Sequence, residues 1–309
     1  MSLNYFIFGV TLILTASCTG KDSISLSENT TQIETLSHKL TEAETTDDVE
    51  TFLAVYDSNA ISMPEYQITL SGTAEIESYY REIFRRQNIK TFQRNAEEYI
   101  DLGNTLIEIG TFKKTYIDSA TDTLLNQEGK YWNVWNLDSG GSLKLKGEAF
   151  GFFHPIEAPQ RLVVDIEAAS LNRYKAYSNQ KVPFELKAYN ALMEKGVRIR
   201  DGALRSEFFT EDSRFMPFAE PTLTGMKEIK PYLTAYSNRG SVTIDSIACY
   251  TYHHESFDDY LLEYAKFKVK WIVPGYEGTT EGKGIRIWKR QPDKSLKLYR
   301  EIGTHDHIL

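Results

Sequence analysis

The side chains able to do chemistry in this chain are few and scattered. His305 and His307 stand two residues apart near its end. On a strand they would share one face, about 6.6 Å apart at a rise of about 3.3 Å per residue. Two imidazoles can hold a transition metal when a third ligand joins them, but none stands in register, so the pair reads as solvated and no metal is assigned. His253 and His254 beside Glu255 lie between two strand-like runs and read as a polar turn. Cys249 is four residues from His253, about 13 Å along a strand. That distance excludes a local thiolate–imidazole pair and leaves a buried, inert thiol. No cofactor is assigned.

Aromatic residues make a better argument for binding. Tyr189, Tyr232, Trp288 and Tyr299, with Met216 and Arg300, could line a pocket in the C-terminal half, and Tyr79, Tyr131 and Trp135 have similar positions in the N-terminal half. Aromatic walls with polar tips suit small apolar or sugar-like ligands. Packing of a curved sheet against helices would use the same residues. Arg300 alternates with Tyr299 and Glu301, so one of the three would face inward.

Positioning these residues requires two copies of one unit. Gly129–His154 aligns without a gap on Gly282–His307, an offset of 153, with nine identities in 26 pairs. Met63–Tyr79 aligns on Met216–Tyr232 with eight identities in 17. Leu106–Lys113 matches Leu261–Lys268 at an offset of 155, so small insertions intervene. A period this long marks duplicated domains, not a solenoid. The chain of 309 residues, 41% of them apolar and 13% aromatic, is long enough for two cores. Its net charge of −8 and its lack of a basic stripe argue against nucleic acid.

Within the first copy, Ile33, Leu36, Leu40 and Ala43 fall at helical spacing. Asp47 with Glu50 reads as the start of a second helix carrying Val49, Phe52, Leu53 and Tyr56. Ala60–Leu70 reads as extended, and Ile76, Tyr79, Tyr80 and Ile83 mark a third helix. Strands are expected after about residue 91, at Thr105–Thr115, Tyr131–Leu137 and Leu143–Phe153, with a hairpin turn at Asp138-Ser-Gly-Gly. The second copy repeats this order, with Pro292-Asp293 as its turn.

Helix, D-V-E-x-F-x-x-x-Y (Asp48–Tyr56), strand, Met63-Pro64, G-x-x-E-I-x-x-Y (Gly72–Tyr79) and a closing G-K-x-x-x-x-W hairpin resemble the NTF2-like superfamily, nearest its SnoaL-like (DUF4440-like) branch. The resemblance implies an α+β fold of two tandem cone-shaped rolls, each with three helices in a curved antiparallel sheet. The copies would span residues 30–156 and 183–309, joined by a linker at 157–182. Members include isomerases, dehydratases and cyclases, and many only bind. A steroid-isomerase-type member would place its base near Met63 or Met216. Its donors would lie near Leu40 or Met193 and near Trp132 or Ile285. None of these is an acid or a tyrosine, so that chemistry is not expected.

The N-terminus adds an address. Phe6–Leu14 is a short apolar run, followed by Thr15, Ala16, Ser17 and Cys18. It is too short for a resident span and reads as a signal peptide over residues 1–17. Cys18 at its end resembles the lipidated cysteine of a bacterial lipoprotein, and residues 18–29 read as a tether. The expectation is an exported cell-envelope protein, membrane-bound through Cys18, that binds a small molecule or protein partner. The alternative is a lyase, isomerase or hydrolase. The two copies should pair as an intramolecular pseudo-dimer. Any working pocket should lie in the second copy, where Tyr189, Tyr299 and Arg300 replace Leu36, Lys146 and Gly147.

Overall fold

The computed structural model describes residues 26–166 and 181–307, with side chains from residue 28. The signal segment, Cys18 and residues 167–180 of the linker lie outside the described residues. The first copy runs α1 (Leu26–Thr45), α2 (Val49–Leu53), β1 (Tyr56–Pro64), β2 (Leu70–Ser71), α3 (Thr73–Arg86), β3 (Gln87–Asp101), β4 (Thr105–Asp118), β5 (Thr123–Leu137) and β6 (Leu143–Phe152). The second runs α4 (Phe184–Arg198), α5 (Gly202–Ser206), β7 (Phe209–Met216), β8 (Leu223–Thr224), α6 (Met226–Ser237), β9 (Thr243–Ser256), β10 (Tyr260–Val273), β11 (Tyr276–Arg290) and β12 (Leu296–His305). The sheets have the same order, β2-β1-β6-β5-β4-β3 and β8-β7-β12-β11-β10-β9. The chain is two tandem α+β rolls.

Three local readings change. The second helix begins after Asp48, whose carboxylate accepts from Thr51 N, and Asp47 turns the chain at φ 58°. That helix ends at Leu53 and Tyr56 already belongs to β1. Each sheet is mixed, because the strand before the third helix pairs parallel with the last strand: β1 with β6, and β7 with β12. The strands are also longer than the apolar alternation implies. The β4–β5 ladder extends through polar residues to Asp118 and Thr123.

A bulge decides which side chains enter each cone. Trp135 pairs with Leu145 and Val134 with Gly147, so Lys146 is an extra residue on β6. Leu143 and Leu145 face the helices before it, and Glu148 and Phe152 face them after it, because an inserted residue reverses strand parity. In the second copy Ile287 pairs with Arg300 and Trp288 with Leu298, making Tyr299 the extra residue.

The other faces of the two sheets form one shared apolar cluster. Ile61, Met63, Ile107, Trp132 and Val134 of the first copy are buried with Met216, Leu262, Ile285, Ile287 and Ile302 of the second. Around it lie two equivalent lysines. Lys130 donates to the carbonyls of Phe152 and, across the copies, of Pro217 and Glu220. Lys283 donates to Asp306 at 2.6 Å and, across the copies, to the carbonyl of Gln67. Gln67 and Glu220 are themselves 153 residues apart, so the contact repeats about a pseudo-two-fold axis. Residues 157–166, read from the sequence as linker, pack on the first copy: Leu162, Val164 and Ile166 join its core, and Val164 bonds the Gln67 amide.

Candidate functional site

The two cones share a buried carboxylate at the same place. In the first, Glu108 on β4 accepts from Ser37 at 2.9 Å, Tyr131 at 2.8 Å, Asn133 at 3.0 Å and the Trp135 indole at 3.0 Å. In the second, Glu263 accepts from Thr251 at 2.6 Å and the Trp288 indole at 2.8 Å. These acids hold strands and helices together and are fully partnered.

Further along, the cones diverge. In the second, Arg286 reaches into the interior: its Nε donates to Glu301 at 2.7 Å, and its Nη1 lies 3.6 Å from Glu263. In the first, the equivalent of Arg286 is Asn133, and a cavity of about 40 Å³ remains. That volume holds about three waters. Its walls include Phe112, Phe152, Tyr79 and Ile83, and its polar groups include Glu148, Tyr80, Arg94, Lys114 and Glu44.

Each polar group is placed by the ladder. Glu148 on β6 is buried, and its Oε1 accepts from Ser62 Oγ of β1 at 2.6 Å and from Tyr80 Oη of α3 at 2.8 Å. Burial pushes its carboxyl up from the ordinary value, against the pull of those hydrogen bonds and of Arg94. Arg94 comes from β3, with its guanidinium 5.2 Å from the centre of the Phe92 ring and 5.4 Å from that of Tyr131. Lys114 of β4 pairs with Glu44 of α1. Arg94 Nη2 lies 3.8 Å from the other oxygen of Glu44, and Arg94 Nη1 is buried with no hydrogen-bond partner among the described residues.

The sequence-based site residues lie elsewhere. Tyr189 and Trp288 pack as a tilted pair, 4.9 Å between ring centres, in the second core, and Tyr189 Oη accepts from Leu296 N at 3.1 Å. Tyr232 is half-buried beside Phe215 and Tyr236, and burial pushes its phenol up to about 12. Met216 belongs to the apolar cluster between the sheets. Tyr299 packs on that same cluster, against Tyr260 at 5.9 Å. Arg300 leaves its cone and grips Glu98 of the first copy, its Nε 2.9 and 3.0 Å from the two carboxylate oxygens. The bulge at Tyr299 turns it outward. None of these six residues lines that cavity, which lies in the first copy. Met63, Trp132 and Ile285, tested above as isomerase positions, also face the other copy. The inward residues are their neighbours Ser62, Asn133 and Arg286.

Among the described residues no cluster of metal-ligating side chains exists. His305 stacks face to face on Phe218 at 3.9 Å, and burial together with the charge of Lys283 pushes its imidazole down to about 3. Burial pushes the Cys249 thiol up to about 12. Glu148 and Arg94 escaped the sequence reading. The identity of Glu148 with Glu301 was a usable signal for the acid, whereas nothing in the repeat marks Arg94, whose counterpart is Cys249.

No protein-family model and no curated protein matches the sequence. Solved structures resemble it one copy at a time. A ketosteroid isomerase-like protein from Erwinia carotovora atroseptica is 15% identical at a TM-score of 0.39, over 41% of this chain and 98% of that one. A nuclear transport factor 2 (NTF2-like) superfamily protein from Salmonella enterica serovar Typhimurium is 9% identical at 0.38, over 41% and 93%. An NTF2-like protein from Cytophaga hutchinsonii is 14% identical at 0.34, over 42% and 99%. Each of these matches covers a length close to that of one copy.

Proposed function

We propose that the first copy is a small-molecule binding domain and that the second is its scaffold, in an exported protein held at the membrane through Cys18. The observation that carries the reading is the contrast between the two cones. Arg286 occupies the middle of the second and pairs with both acids there. Asn133 lines a cavity in the first, with aromatic walls and Arg94 among its polar groups. A small apolar pocket with a few convergent polar groups is the usual form of a ligand site. Asn133→Arg should fill the first cone as Arg286 fills the second. A fragment panel read by ligand-observed NMR should then bind the wild type and not this variant. Equal binding to both would defeat the assignment.

Glu148 favours a second reading, proton transfer to a bound substrate. A carboxyl whose pKa is raised by burial and which Ser62 and Tyr80 hold in place is positioned to exchange a proton with a bound molecule. Under this reading Glu148→Gln keeps ligand affinity and loses turnover.

A further inference from the structure

The chain covers one face of its first cone with its own segment, and the equivalent face of the second cone is exposed. Arg86 at the end of α3 donates its Nη1 to the carbonyls of Arg161 at 2.9 Å and Val163 at 2.7 Å. The Gln67 amide donates to Val164 O at 3.1 Å and accepts from Val164 N at 2.9 Å. Leu162, Val164 and Ile166, at alternate positions of this segment, are buried. Leu162 lines the first cavity together with Tyr79, Ile83 and Phe112, so these three residues are among those that the segment covers.

Their counterparts in the second copy are Tyr232, Tyr236 and Phe267, at offsets of 153, 153 and 155. Tyr79, Ile83 and Phe112 are 1%, 4% and 6% exposed, whereas Tyr236 is 44% exposed and Tyr232 and Phe267 are half-buried. The two residues that hold the segment also have counterparts, Arg239 for Arg86 and Glu220 for Gln67, and these pair with each other at 3.2 Å on the surface. An exposed ion pair contributes little to stability, so Arg239 can exchange Glu220 for backbone carbonyls at small cost. We propose that this face of the second copy binds an extended segment of a partner protein, its aliphatic side chains at alternate positions over Tyr232, Tyr236 and Phe267 and its carbonyls on Arg239. Extended peptides are recognised in this way, with backbone groups giving affinity and alternate side chains giving specificity. A second molecule of this chain is a poor source of the segment, because its own copy is fastened at home by Arg86, Gln67 and the Arg161–Asp118 pair. Glu220 accepts a backbone N–H as Gln67 does but has no N–H to give, so the contact is weaker and reversible. Ligand binding in the first cone plays no part in it.

The probe is a fluorescent synthetic peptide of residues 157–166, titrated into the full chain and read by anisotropy. It should bind once per chain. Arg239→Ala should weaken binding about fivefold, the weight of one hydrogen bond, and Glu220→Gln should strengthen it by a similar factor. Tyr236→Asp should abolish it, as should Leu162→Ser, Val164→Ser and Ile166→Ser together in the peptide. Tyr236 and Arg239 are both exposed, so their variants should keep the wild-type melting temperature. No binding to the wild type up to about 1 mM peptide would overturn the proposal. Binding that none of the three second-copy variants changes would show the peptide exchanging into the first copy and would overturn it as well. A wild-type dimer that the peptide breaks would make the occupant a second copy of this chain and overturn the assignment to a separate partner.

Discussion

Trp135 donates its indole N–H to Glu108 at 3.0 Å, and 153 residues later Trp288 donates to Glu263 at 2.8 Å. The acid and the indole sit on neighbouring strands, and the pair recurs because the duplication carried both. Glu108 has four donors around it, so truncation leaves them buried with no acceptor. Glu108→Ala should destabilise the protein by about 3–5 kcal/mol, as expected when one partner of a buried charged network is removed. Glu108→Gln should cost less, about 1–2 kcal/mol, because the amide oxygen still accepts. Denaturant midpoints at unchanged slope would check both values.

Arg300 and Glu98 join the two copies through paired hydrogen bonds with Glu98 largely shielded from water. A double-mutant cycle on Arg300→Ala and Glu98→Ala should give a coupling of about 1–3 kcal/mol. Arg300→Lys should recover only part of it, since a point charge cannot form the fork. Additive losses in the cycle would mean that the contact contributes nothing to holding the copies together.

His305 should make the protein acid-sensitive. Its folded-state pKa is pushed down to about 3 by burial and by Lys283, from an ordinary 6.5. Between these values the unfolded chain binds the proton and the folded one does not. The stabilisation is therefore fully present above pH 6.5 and is lost as pH falls toward about 3, at up to about 1.4 kcal/mol per unit. His305→Gln removes this titration. Carboxylates contribute equally to both proteins, so the difference between their stability–pH curves isolates the imidazole. Parallel curves from pH 7 to pH 4 would contradict this account.

Gly147 lies against the second copy: a Cβ there would overlap the phenol of Tyr264. Gly147→Ala should force the sheets apart locally and cost about 1–3 kcal/mol, the usual range for overpacking. Tyr264→Phe in the same background should recover part of the loss by removing the clashing oxygen. Thermal unfolding of the three variants would test this.

Cys18→Ser tests the membrane address. If the cysteine is acylated, the wild type should partition into detergent and the variant should stay in the aqueous phase. A wild-type protein with Met1 intact and wholly in the aqueous phase would end the lipoprotein reading.

The duplication and the order of elements were legible in the sequence, because both are local: an offset of 153, apolar residues at helical spacing in α1 and α3, and turn residues such as Asp138-Ser-Gly-Gly. Trp135 and Trp288 were legible as a repeated pair, but their place in the cores and not on a pocket wall was not. Strand facing was not. One extra residue on β6 and one on β12 reverse the alternation there, so Glu148 enters its cone and Arg300 leaves its own, although both follow the bulge within two residues. A bulge depends on how two strands pair, and neither strand's sequence records it. The cavity was equally a tertiary outcome. It depends on Asn133 being shorter than Arg286, and on Arg94 reaching in from a strand whose counterpart carries Cys249. Residue types thus defined two similar rolls, and packing across the strands decided which side chains line the cavity in the first.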